Sequence, residues 1–126
     1  MTARSALTLL AAGAAALAPP ARAQDAAPVG IEACDGFLAA YERCAASPGV
    51  PEVARPGLLQ TIAGQRTAWR EAVARDERAR RTVTYQCAQS HAAVRPRLIE
   101  AFGCDFPAPD AASAAMAREA PPGRVR

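Results

Sequence analysis

Three stretches of the chain repeat apolar residues at steps of three and four, and none alternates with the two-residue period of a strand. In the first, about 31–46, Cys34, Phe37, Leu38, Tyr41 and Cys44 share one helical face, while Asp35, Glu42 and Arg43 point elsewhere. Ser47-Pro48-Gly49 then ends the pattern, since Pro and Gly suit the chain just past a last turn. The second stretch begins near Pro51, which fits a first helical position because its missing N–H has no partner to lose. Pro56-Gly57 interrupts, so 51–55 reads as a separate turn and the main helix as starting near Pro56 and ending near Arg75. Its stripe is Leu58, Ile62, Trp69 and Val73, flanked by Leu59. Gly64 lies inside this helix at a cost of about 1 kcal/mol relative to Ala, which points to close approach by a neighbour.

The third pattern opens after Asp76, a candidate cap, and runs to Phe102. Val83, Cys87, His91, Val94, Leu98 and Phe102 follow one another at helical steps. Pro96 removes one backbone hydrogen bond and predicts a kink near 92–96. Gly103 is a natural stop. The patterns together predict an all-α fold, a small three-helix bundle within 31–104. Residues 24–30 carry no periodicity and read as a flexible lead. Residues 105–126 hold four Pro and much Ala, too little apolar surface to offset ordering entropy, and are expected to be a disordered tail. A short helix near 111–119 is allowed there but not required.

The first residues have a different character. Met1-Thr2-Ala3-Arg4 precedes an apolar run from about Ala6 to Ala18, then Pro19-Pro20-Ala21-Arg22-Ala23-Gln24. A short basic start, an apolar core and an Ala-x-Ala site read as an export signal at 1–23, cleaved after Ala23. An uncleaved membrane anchor would need about 18 or more apolar residues, and this run is shorter. The expected location is therefore the periplasm. Loss of the signal removes Arg4 and Arg22, leaving 13 Arg against 12 acids in 103 residues, a net charge of +1. Nucleic-acid binding needs a strong basic surplus; none remains.

An oxidising destination changes the meaning of Cys34, Cys44, Cys87 and Cys104. An even count in a short exported chain favours disulfides over metal ligands, which would want closer Cys or His spacing. No metal or other cofactor is expected. Cys34–Cys44 is excluded, because nine intervening helical residues put the two Cα atoms about 15 Å apart. In an up-down-up bundle the first and third helices run parallel, which favours Cys34–Cys87 with Cys44–Cys104. Reversed packing at Pro56 would favour Cys34–Cys104 with Cys44–Cys87 instead. Either way each bridge closes a loop of more than 40 residues, worth about 4 kcal/mol on the chain-entropy model. A core of this size supplies few kcal/mol unaided.

Candidate functional residues are few. His91, the sole His, is a candidate pH sensor, weighed against a half-buried core His with a hydrogen-bond partner. Trp69 beside Arg66 and Arg70, followed by Arg78 and Arg81, forms a candidate binding surface for an anionic partner. Against this, Trp69 continues the Leu58-Ile62 stripe, and Glu71, Asp76 and Glu77 interleave with the arginines. No catalytic constellation, phosphate loop or G-x-S-x-G is present.

Cys34-Asp35-Gly36-Phe37-Leu38-Ala39-Ala40-Tyr41-Glu42-Arg43-Cys44, Val50-Pro51-Glu52, Thr67-Ala68-Trp69-Arg70-Glu71-Ala72, Gln86-Cys87 and Phe102-Gly103-Cys104 carry a resemblance. Over about 34–104 the chain resembles small exported four-cysteine helical proteins of proteobacteria. The resemblance implies a periplasmic location and paired Cys, and it brings no active residues. The C-x9-C element is also similar to the twin C-x9-C proteins of the mitochondrial intermembrane space. The 16 residues between Cys87 and Cys104 depart from that pattern. The expected function is a non-enzymatic periplasmic binding module or envelope-associated factor, meeting a protein or an anionic envelope component. A pH- or stress-responsive chaperone-like protein is the alternative. A thiol redox protein is a weaker one, because no C-x-x-C is present to cycle.

Overall fold

A computed structural model of the protein describes residues 27–119. Residues 1–26, which include the expected export signal, and residues 120–126 lie outside the described residues. Within them the fold is all-helical: α1 (Glu32–Ala45), α2 (Arg55–Arg75), α3 (Ala79–Phe102) and α4 (Ala111–Arg118). No strand forms among the described residues, and no helix there is long and apolar enough to cross a membrane.

The first three helices pack against one another as the predicted bundle. The stripes read from sequence form its core. Cys34, Phe37, Leu38, Tyr41 and Cys44 of α1, Ile62 and Trp69 of α2, and Val83, Cys87, His91 and Leu98 of α3 are all buried. Full burial of a side chain such as Ile62 or Leu38 stabilises by about 1.5–3 kcal/mol. Disulfides join Cys34 to Cys87 and Cys44 to Cys104, with Cα separations of 5.0 and 5.3 Å. The start of α1 thus meets the middle of α3, and the end of α1 meets the residue just past Gly103. The two helices run parallel, as the preferred pairing required.

Helix ends follow local chemistry. Residues 51–54 form a separate turn, and α2 begins at Arg55 with Pro56 in its first turn. The Arg55 Nε donates to the Ala45 carbonyl at 2.9 Å and so satisfies an orphan acceptor at the end of α1. Gly103 closes α3 in the left-handed conformation, φ 62°, which a Cβ would strain. The α3 helix continues unbroken through Pro96.

Four expectations need correction. Asp76 does not cap α3; it ends α2, and its Oδ1 accepts from the Arg78 N–H at 2.9 Å in the turn between them. Gly64 is exposed with open space around it. The close approach occurs at Gly49, where an added Cβ would overlap the Phe102 carbonyl oxygen. The lead is not loose from residue 27 onward. Val29 is buried, and the Val29 and Gly30 N–H groups donate to the Asp35 carboxylate at 2.8 and 3.1 Å. The tail, finally, is ordered through residue 119. Phe106 is buried in the core and α4 packs on α3. One aromatic anchor and one helix cap offset the entropy that the Pro- and Ala-rich composition could not.

Candidate functional site

Beyond the Cys44–Cys104 bridge the chain turns back along α3 as a strap, and α3 side chains fasten it by donating to its carbonyls. The Arg95 Nε reaches Phe106 O at 2.9 Å, and the His91 Nε2 reaches Pro107 O at 3.0 Å. The Gln89 amide donates to Ala117 O, and the Tyr85 hydroxyl to Glu119 O at 2.9 Å. Positions 95, 91, 89 and 85 meet 106, 107, 117 and 119 in that order, so the strap runs antiparallel to α3. Positions 85 and 89, like 91 and 95, are one helical turn apart and lie over one another. Each bond satisfies a carbonyl that no helix serves.

The strap stands beside α1, and the two leave a groove of about 320 Å³ between them. Phe37 and His91 form its floor. Glu32, Gly36 and Arg43 line the α1 side, and Pro107, Pro109 and Asp110 belong to the strap side. The floor is aromatic: the His91 and Phe37 ring centroids lie 5.4 Å apart, and Phe106 meets His91 edge-on at 5.4 Å. Gly36, Ala33 and Ala39 keep the α1 wall low, because larger side chains there would occupy the space.

His91 is only 8% exposed. A carbonyl oxygen only accepts, so the Nε2 facing Pro107 carries the hydrogen in either protonation state. Its Nδ1 has no hydrogen-bond partner among the described residues, and is an acceptor when the ring is neutral. Asp110 caps α4, with one carboxylate oxygen accepting the Ser113 N–H at 2.7 Å. The Ser113 backbone and hydroxyl donors, aided by the His91 charge, hold the Asp110 carboxyl below its ordinary value. Among the described residues no group of three or more His, Cys, Asp or Glu is arranged to hold a metal ion.

The arginine surface expected from sequence does not assemble. Trp69 is 3% exposed and packs against Phe37, with ring centroids 6.2 Å apart, so it is a core residue and not an exposed anchor. Arg66 pairs with Glu42 of α1. Arg70 donates to Ala27 O at 3.4 Å, and Arg80 donates to Gly30 O. These arginines tie the lead and α1 to the bundle. Arg78 and Arg81 remain exposed on the solvent side. Of the candidate functional residues named from sequence, His91 alone lines the groove. Arg43, Asp110 and the strap were missed, although the Phe106 that follows Cys104 and the Asp110-x-x-Ser113 spacing are signals of a docked segment and a helix cap.

The chain matches no family model, no curated protein and no solved structure.

Proposed function

We propose that the protein is an exported, non-enzymatic binding module of the periplasm, and that the groove between α1 and the strap is its ligand site. The observation that carries this reading is His91. It is a buried imidazole at the floor of a groove, locked through Nε2 to Pro107, with its other nitrogen unpartnered. Nδ1 is not enclosed within the core, so it opens onto the groove that His91 lines, where a ligand N–H can pair with it. The groove's volume lies at the lower end of the range for small-molecule sites. The disulfides favour an oxidising compartment, in keeping with the export signal and the resemblance to exported four-cysteine proteins.

Gly36 supplies the test. It is exposed on the groove wall, and a Cβ there meets nothing within 4 Å. Gly36→Leu should fill the groove while leaving the fold intact, since Leu is a better helix former by close to 1 kcal/mol. Small fragments that bind the wild type, detected by saturation-transfer NMR, should lose binding in Gly36→Leu at unchanged or raised melting temperature. Fragments that bind both proteins equally would sink the assignment.

A second reading, the pH- or stress-responsive chaperone, draws on the strap itself. Release of the strap would withdraw Phe106 from Phe37 and His91 and leave an aromatic surface open. Uptake of a hydrophobic dye under mild acid or heat, before global unfolding, would favour it.

A further inference from the structure

We infer that the groove takes a short extended peptide with free termini, its ammonium end at Glu32 and its carboxylate end at Arg43. The inference rests on the reading of the groove as a ligand site and adds the class of ligand.

Charge and geometry set the orientation. Glu32 and Arg43 both line the groove from α1, and eleven residues of helix separate them by about 16 Å along the axis. Both are exposed, and neither has an ion-pair partner among the described residues. The α1 wall thus offers a carboxylate toward one end and a guanidinium toward the other.

The middle of the groove matches a peptide backbone and one apolar side chain. The His91 Nδ1 can accept a single N–H, and Phe37 offers a ring face or edge beside it. An extended chain advances about 3.3 Å per residue. With the reach of the Glu32 and Arg43 side chains subtracted, three or four residues span the interval. A lone anion would leave Glu32 unused, and a lone cation would leave Arg43 unused. A zwitterion of this length satisfies both ends.

Calorimetric titration of the oxidised full chain with Ala-Phe-Ala tests the inference, in free, N-acetylated and C-amidated forms. Phenethylamine, which has an ammonium and a ring but no carboxylate, is titrated alongside. The free tripeptide should bind, and each blocking group should weaken it about three- to tenfold, as expected for one partly exposed charged contact. Arg43→Gln should abolish the preference for a free carboxyl end and keep the preference for a free amino end; Glu32→Gln should do the reverse. Equal binding of free and blocked peptides, or preferences that survive in both variants, would overturn the inference. If phenethylamine binds and the tripeptide does not, the peptide class fails while the groove stands as a site. If neither binds, both fail.

Discussion

The Nε2–H of His91 donates to the Pro107 carbonyl across 3.0 Å, at the point where strap, α3 and groove meet. Replacing His91 by Ala removes this bond, worth about 0.5–1.5 kcal/mol, and the ring's contacts with Phe37 and Phe106. The expected total is a loss of about 2–3 kcal/mol. Native-state hydrogen exchange should speed up in 111–118 before α2 responds. A uniform acceleration across all helices would contradict the strap's local dependence on His91.

Two glycines are expected to respond in opposite directions. Gly49→Ala forces a Cβ into the Phe102 carbonyl, so the loop between α1 and α2 or the end of α3 must shift. Overpacking of this kind destabilises by about 1–3 kcal/mol. Gly64→Ala enters open space on an exposed helical position and should stabilise by about 0.5–1 kcal/mol. Urea unfolding of both variants checks the pair; equal effects would contradict the packing at Gly49.

Stability should fall at both extremes of pH, for separate reasons. Asp110 is held below its ordinary value by the Ser113 donors and the His91 charge. Its contribution is present above the ordinary carboxylate range and is lost as acid protonates it, below about pH 4. Protection of α4 amides should fall in that window, and Asp110→Ala should remove the acid-dependent part. Burial raises Tyr41 above 10.0. Its contribution is therefore full below about pH 10 and is lost above, as the unfolded chain ionises first. Tyr41→Phe should remove that alkaline component, and urea titrations across pH read both effects.

Each disulfide closes a long loop, with sequence separations of 53 and 60. Loss of either should cost about 2–4 kcal/mol, and reduction of both should unfold the domain or leave it molten. The double variant Cys44→Ser with Cys104→Ser frees the origin of the strap. It should make 105–119 the first site of proteolysis, whereas Cys34→Ser with Cys87→Ser should loosen α1 against α3. Thermal melts unchanged by reductant would contradict the role of the staples.

The bundle was legible in sequence because its stripes are set by helical period alone. Cys34 to Cys44, Ile62 to Trp69 and Val83 to Leu98 are buried where that period puts them. The preferred pairing followed from the same periodicity plus parallel helices. The strap was not legible in the same way. Its order comes from single contacts at long range, with Phe106 seated beside Phe37 and carbonyls of 106–119 bonded to α3 side chains. Composition averages over such contacts and reports only Pro and Ala. Trp69 shows the converse case: its arginine neighbours suggested a surface, and the helical stripe placed it inside.

The location of the ligand site is tested most directly by amide NMR of the oxidised chain titrated with Ala-Phe-Ala. Shifts are expected at 32–43, at His91 and at 107–113, and they should vanish in Gly36→Leu. Shifts centred on Arg78 and Arg81, or a response unchanged by Gly36→Leu, would contradict a ligand site between α1 and the strap.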